Sequence, residues 1–259
     1  MQQENQAGSN ERWDEIWAHL RDPNADPVPF LLTLLTDPAS EMRASGARLL
    51  REVPSPRAVP ALLPLVRDTD DWVRGEAVET LGFLADTQAL RAILDAADDS
   101  DELVRVNVAE ALGSLGICTP EVTQTLCRLL NDPYFPVRIF AAESLGDLGD
   151  PEAKPALEQA QTDIPAVRVW VYYGLARLGD PFALTPTLNI LRRGGAWARN
   201  QAARVLQRIA PPGASERIAS ALAVALQRNN PPLVRSFLRE YHDALLAQTG
   251  ATRRETGPR

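Results

Sequence analysis

The 259-residue sequence predicts an all-α fold, an α-solenoid of about seven helical hairpins behind an N-terminal capping helix, and three observations predict it. First, an apolar residue followed by Arg returns seven times, as Met42-Arg43, Val73-Arg74, Val104-Arg105, Val137-Arg138, Val167-Arg168, Ala198-Arg199 and Val234-Arg235, with Arg-to-Arg steps of 31, 31, 33, 30, 31 and 36 residues. Second, punctuating residues keep step with it. Asp stands six residues before the Arg in four copies (Asp37, Asp68, Asp99, Asp132) and five before it at Asp163, whereas copies six and seven have Arg193 and Asn229. Pro29 and Pro60 lie fourteen residues before their Arg, Pro155 and Pro186 thirteen before theirs. Third, the apolar spacing inside each copy is helical, and a pair of short helices buries only one side of itself, so copies must stack to complete a core.

The elements follow in order. Residues 1–9 read as a disordered tail, and Trp13, Ile16, Trp17 and Leu20 predict one amphipathic capping helix within residues 10–26. The repeats occupy 27–247. Val59, Leu62, Leu63 and Val66 follow i, i+3, i+4, i+7, and Leu90, Ile93, Leu94 and Ala97 repeat that pattern, each marking the first helix of a copy. Val73, Ala77, Leu81 and Leu84, matched by Val104, Val108, Leu112 and Leu115, mark the second helices, which contain the Arg. Gly116, Gly149 and Gly179 fall where a helix ends on a left-handed residue, and Asp150-Pro151 and Asp180-Pro181 supply the next cap and first-turn proline. Gly82, Gly113 and Gly146, eight residues after their Arg, let successive second helices approach closely. Residues 248–259 are polar and read as a flexible tail.

Composition narrows the function. Apolar residues make up 45 % and charged residues 24 %, as in an average globular protein. No apolar run approaches the ~18 residues of a membrane span, so no membrane partner and a cytoplasmic address are expected. Two cysteines, Cys118 and Cys127, and two histidines, His19 and His242, are too few for a disulfide framework or a four-ligand zinc site. The net charge of −7 is split: residues 1–180 carry 15 basic and 30 acidic side chains, residues 181–259 carry 12 and 4. The acidic body repels phosphate backbones and favours a basic partner.

Pro, Asp and Arg at these offsets resemble the HEAT repeat. The stretch Val137-Arg138 through Ala141-Ala142-Glu143-Ser144-Leu145-Gly146-Asp147-Leu148-Gly149-Asp150-Pro151 is similar to the short variety of that repeat found in phycobilisome lyases. The resemblance covers residues 27–247. The period is shorter than the ~40–47 residues of usual HEAT and armadillo units, but no copy shows the residue orders of tetratricopeptide or ankyrin repeats. The resemblance implies that the Asp and Arg columns (Asp37, Arg43, Asp68, Arg74, Asp99, Arg105, Asp132 and Arg138) form an inter-repeat hydrogen-bond ladder. The chemistry agrees, since a guanidinium has donors enough for a carboxylate and loop carbonyls together. Because the Asp column ends after the fifth copy, the last two copies are expected to stack more loosely or to use other contacts.

In stacked hairpins the second helices line the concave wall. The column two residues after each Arg runs Ser45, Glu76, Asn107, Phe140, Trp170, Gln201, Phe237, and the column five after it Arg48, Glu79, Glu110, Glu143, Tyr173, Arg204, Glu240. Glu76, Glu79, Glu110 and Glu143, then Trp170 and Tyr173, then Arg204 form the expected partner-binding face: an acidic strip that also holds Asp147, an aromatic anchor beside Phe140, and a basic end that also holds Arg177 and Arg208. Each glutamate taken singly also fits a solvated helix face, and the two aromatics also fit the stack. No catalytic constellation, metal site or cofactor is read. Cys127 sits on an apolar-patterned first helix, and Cys118 has no His near it to activate it. The expected function is a non-catalytic scaffold binding a protein with a basic surface. The alternative implied by the resemblance is a phycobilisome lyase-like protein acting on bilin attachment or phycobilisome turnover, with Trp170, Tyr173 and Arg204 against a tetrapyrrole and its propionates. Two other HEAT-like classes fit less well: deoxyhypusine hydroxylase needs His-Glu pairs, and DNA glycosylases need a cationic groove.

Overall fold

The computed structural model describes residues 13–255 except Glu15, Pro23, Asn24 and Pro212. The described residues form seven helical hairpins and no strand. We number the helices α1 (Val28–Leu34) and α2 (Ser40–Glu52); α3 (Ala58–Leu62) and α4 (Asp71–Leu84); α5 (Leu90–Asp95) and α6 (Glu102–Leu115); α7 (Pro120–Leu129) and α8 (Phe135–Leu148); α9 (Lys154–Gln159) and α10 (Pro165–Arg177); α11 (Leu184–Arg193) and α12 (Ala196–Ile209); α13 (Ser215–Leu226) and α14 (Pro232–Glu255). The chain divides into two compact units, Met1–Ile117 with α1–α6 and Cys118–Arg259 with α7–α14. Each unit is an α-solenoid in which even-numbered helices pack on one another in sequence.

Local chemistry sets the helix boundaries. Asp70 and Asp101 cap α4 and α6 by accepting from Val73 N (3.3 Å) and from Leu103 N and Val104 N (2.9 and 3.1 Å). Gly116 and Gly149 end α6 and α8 at φ 63° and 71°. Ala85 occupies the same left-handed position after α4 at φ 52°. Asp150 and Asp180 accept from the amides of Glu152 (3.1 Å) and Phe182 (2.8 Å), the caps their position predicts.

The first helices differ from expectation in one respect: α3, α5 and α9 each tighten into a 3-10 turn, at Leu63–Arg67, Ala96–Asp98 and Ala160–Thr162. Tighter winding shifts the inward face, so Leu65 joins Val66 in the core while Leu63 stays half-buried. The second-helix stripes keep the α period: Val73, Ala77, Leu81, Val104, Val108 and Leu112 are fully buried, and Leu84 and Leu115 half-buried at the helix ends. Residues 16–21 are helical with Ile16 buried, within the expected capping helix, whose remainder lies partly outside the described residues, as does the 1–9 tail. At the other end α14 stays helical to Glu255, past the expected boundary at 247, because its turns continue without Pro; residues 256–259 lie outside the described residues.

The Asp–Arg ladder links the hairpins by a fixed rule. Arg43, Arg74 and Arg138 each take the carboxylate of the next copy's Asp, 25 residues on, and the loop carbonyls of their own copy. Arg43 donates to both oxygens of Asp68 (2.7 and 2.7 Å) and to Asp37 O (2.9 Å). Arg74 donates to Asp99 (2.7 and 2.8 Å) and Asp68 O (3.0 Å), and Arg138 to Asp163 (2.6 and 2.9 Å) and Asp132 O (2.7 Å). Arg105 donates to Asp99 O (2.8 Å). The same carboxylates accept backbone amides two residues on, Asp70 N for Asp68 (3.0 Å) and Asp101 N for Asp99 (2.9 Å). One group thus ties neighbouring hairpins and caps a loop. At the far end Arg199 instead donates to Asn230 Oδ1 (2.9 and 2.7 Å) and Asn229 O (2.8 Å), which supplies the other contacts expected once Asp is lost.

The ladder gives a pH dependence. The Arg43 hydrogen bonds hold the Asp68 carboxyl below its ordinary 3.8. At Asp99 burial pushes upward, but Arg74, the Asp101 amide and Arg105 together bring the value below 3.8. Depressed folded-state values mean that the unfolded chain binds more protons, so the stability these groups contribute is present above the unfolded value and is lost as pH falls through the folded values. Thermal unfolding is expected to be nearly flat above pH ~5 and to fall steeply below ~4, with a shallower fall in Arg43→Ala. A wild-type melting temperature unchanged into that acid range would contradict the assignment.

Candidate functional site

The side chains that leave the second helices on the side away from the core were expected to form a partner face, and the structure sorts the two columns differently. The earlier column packs between successive second helices. Ser45 is buried, Asn107 Nδ2 donates to Gly75 O on the preceding second helix (2.9 Å), and Trp170 is only 7 % exposed. The later column reaches outward at Arg48, Glu110, Arg204 and Glu240, with Glu79 and Glu143 half-buried; Tyr173, at 2 %, is the inward exception.

In the first unit the face is a carboxylate strip. Arg51 on α2 pairs with Glu76 (2.9 Å) and with Glu79, and Trp72 Nε1 also donates to Glu76 (3.2 Å). Next to that pair, α4 and α6 enclose a hollow of about 110 Å³ whose lining includes Arg51 from α2, Glu79 and Phe83 from α4 and Asn107, Glu110 and Ser114 from α6. Gly82 and Ala111 form its floor, and Phe83 stands 58 % exposed at its rim. The glycine is what allows this approach: a Cβ at Gly82 would lie 2.6 Å from that of Ala111. Residues 1–117 carry 10 basic and 21 acidic side chains, a net −11, so the hollow opens from a strongly acidic body.

In the second unit the expected aromatic anchor is corrected. Trp170 and Tyr173 meet edge to face at 5.7 Å and are covered by Arg208, whose guanidinium lies 4.1 Å over the Tyr173 ring and 5.6 Å over that of Trp170. Arg208 pairs with Glu143, donates to Asp147 (2.9 and 3.0 Å) and to Tyr173 Oη (2.6 Å), while the Tyr173 hydroxyl donates to Asp147. This arginine on α12 thus reaches α8, two hairpins away, across α10, a span that requires the even-numbered helices of this unit to lie on the inner side of its curve. Burial and the neighbouring Asp147 push the Tyr173 hydroxyl up to about 12, so it stays a donor. Burial also raises Glu143 above its ordinary value despite Arg208, which makes it opposite in sign to the ladder aspartates. Arg204 lies outside the cluster, over the Phe237 ring at 5.5 Å. Residues 118–259 carry 17 basic and 13 acidic side chains, a net +4.

Sequence reasoning placed Arg208 at the basic end of the strip but missed its position as the centre of a network. The signal was available: Asp147, Arg177 and Arg208 each stand nine residues after their repeat Arg, a column that brings opposite charges onto stacked helices. Glu76 and Glu79 come together under Arg51, and Glu143 joins Tyr173 through Arg208. Trp197 meets Phe135 edge-on at 6.0 Å. Cys127 is half-buried and its thiol is raised by burial; Cys118 is exposed. Among the described residues no helix is long and apolar enough to cross a membrane.

A family model for HEAT repeats matches residues 28–112 and 90–168. No curated protein matches the chain in sequence. Among solved structures, the chain is similar to the complex of CpcE and CpcF of phycocyanin lyase from Nostoc sp. PCC7120, with a TM-score of 0.65, 20 % identity and coverage of 87 % of this chain and 96 % of that one. It is also similar to an archaeal HEAT-like repeats protein from Thermococcus onnurineus NA1, with a TM-score of 0.47, 17 % identity and coverage of 86 % and 98 %.

Proposed function

Because this chain belongs to the HEAT-repeat family, we propose that it is a non-catalytic scaffold that binds a protein with a basic surface through the exposed faces of its second helices. The observation that carries the reading is the hollow between α4 and α6. Glu79 and Glu110 line it from two helices, Phe83 stands exposed beside it, and a unit of net −11 surrounds it. A Lys or Arg from a partner fits there, its charge beside Glu110 and the Glu79 carboxylate that it would share with Arg51, and its stem against the Phe83 ring. Arg51, which holds Glu76 and Glu79, also lines the hollow, and Glu143 and Arg204 form the corresponding face of the second unit, with Trp170 and Tyr173 packed beneath Arg208. Nucleic acid is disfavoured, since the acidic unit repels phosphate. The cytoplasm suits the two unbridged thiols.

The test is Glu79→Lys with Glu110→Lys. A protein captured by the wild type from a lysate of the source organism, then shown to bind in purified form, is expected to bind the double variant at least ~10-fold more weakly, with helical circular dichroism unchanged. Undiminished binding would move the interface off this face. The alternative, bilin handling, draws support from the fold shared with the phycocyanin lyase complex. Its weakness is that Trp170 and Tyr173 are closed over by Arg208. A new visible absorbance band on incubation with a bilin would favour it over the scaffold reading.

A further inference from the structure

The ladder rule exposes a place where it fails. Arg at position n takes the carboxylate at n+25, as Arg43 takes Asp68, Arg74 takes Asp99 and Arg138 takes Asp163. Applied to Arg168, the rule arrives at Arg193, so the rung joining the α9–α10 hairpin to the α11–α12 hairpin has a guanidinium at both ends and no carboxylate. The next rung is repaired by a neutral acceptor, Asn230 beneath Arg199, but this one is not.

Three features mark the gap. The Nε of Arg168, which in Arg43, Arg74 and Arg138 donates to a carboxylate at 2.7, 2.7 and 2.6 Å, is buried without a hydrogen-bond partner among the described residues. A buried donor left in that state carries a desolvation penalty that a bound acceptor would remove. Beside it lies a pocket of about 380 Å³ whose lining includes Arg168, Tyr172, Asn189, Ile190 and Arg193. At its edge α12 begins at Gly195 with no side chain capping it, whereas the equivalent turns of α4 and α6 have Asp70 and Asp101.

We propose that the missing rung is an oxyanion-binding site. A carboxylate or phosphate group takes the place of the absent aspartate, accepting from Arg168 Nε, from the Arg193 guanidinium and from the Gly195 amide, the counterpart of the Asp70 and Asp101 amides that the ladder carboxylates bind. Two guanidinium groups facing one pocket favour an anion with at least two oxygens on one side, and charge-assisted bonds of this kind are the strong ones. The pocket exceeds the volume of the anion itself, so Tyr172 and Ile190 are left to contact the body of a small acid.

The probes are sodium phosphate and sodium malonate, titrated at constant ionic strength while the Arg Nε–H resonances are followed by NMR. A saturable shift of the Arg168 resonance with either probe, with Arg74 unmoved, is the expected result, and the more tightly bound of the two identifies phosphate or carboxylate as the source. Arg193→Asp builds the missing carboxylate into the chain. It is expected to abolish the Arg168 response and to raise the melting temperature by about 3–8 °C. No saturable shift with either anion, or an Arg193→Asp protein that melts lower and still responds, would overturn the proposal.

Discussion

Arg74→Ala is expected to lower the melting temperature by roughly 5–15 °C. Arg74 and Asp99 have side chains only 14 % and 10 % exposed, so removing the guanidinium leaves a carboxylate nearly out of water. Breaking a buried pair costs about 3–5 kcal/mol, and partial exposure brings that to ~2–4. A chain of this size loses about 2–4 °C per kcal/mol. The Asp68 carbonyl and the Asp99 carboxylate lose their arginine donor together, so the loops that lead into α4 and α6 loosen. Hydrogen exchange is expected to accelerate across α4 and α6. Adding Asp99→Ala to Arg74→Ala is expected to cost less than the sum of the two single changes, because the stranded charge is gone. A melting curve within about a degree of wild type would remove the ladder as a source of stability.

Gly82→Val is expected to lower the melting temperature by about 5 °C or more and to abolish partner binding without touching a charged residue. The added Cβ would fall 2.6 Å from Ala111 Cβ and 2.7 Å from Ala111 Cα, so α4 and α6 must part, and neither contact is the end of a flexible chain. Overpacking of this kind costs about 1–3 kcal/mol. Parting the helices also moves Glu79 away from Glu110, which destroys the proposed lysine or arginine site. Ala111→Gly in the same chain is expected to restore little of either loss, because the added Cβ still meets the Cα at position 111 at 2.7 Å. Gly116→Ala is the control: its φ of 63° strains an alanine, but the added Cβ meets nothing within 4 Å, so binding is expected to survive. Gly82→Val with wild-type stability would mean that the helices do not touch there.

Much of the fold was legible because the repeat is written in short-range chemistry. The Asp caps, the left-handed glycines after α6 and α8 and the buried stripe Val73, Ala77, Leu81 depend on residues within one or two turns, and the structure places each where its spacing predicts. The tightening of α3, α5 and α9 into 3-10 turns was not legible, since Val59, Leu62, Leu63 and Val66 satisfy an α period and only the neighbouring packing makes Leu65 the buried residue. The two outward columns were separated incompletely for the same reason. Asn107 and Trp170 follow the repeat Arg by two residues and looked exposed, yet the adjacent second helix covers them.

The site shows the same division. Glu79 and Glu110 could be paired by register alone, five residues after their Arg on consecutive second helices. Arg208 could be placed in the strip but not joined to Glu143 and Asp147, 65 and 61 residues away, because that contact depends on how sharply the hairpins turn. The empty rung at Arg168 needed both sources. The sequence shows Arg193 where aspartate belongs, and the structure adds that Arg168 Nε is buried there without an acceptor.

By itself the sequence determined the repeat, the number of hairpins, the caps and the Asp and Arg columns, since each depends on spacing along the chain and on which groups need partners. Tertiary structure alone decided that Arg43, Arg74 and Arg138 reach the following copy's Asp, that Trp170 and Tyr173 lie beneath Arg208, and that Gly82 meets Ala111. Those contacts depend on the tilt and separation of neighbouring helices. Many side-chain packings acting together set that geometry, and no single column of the sequence records it.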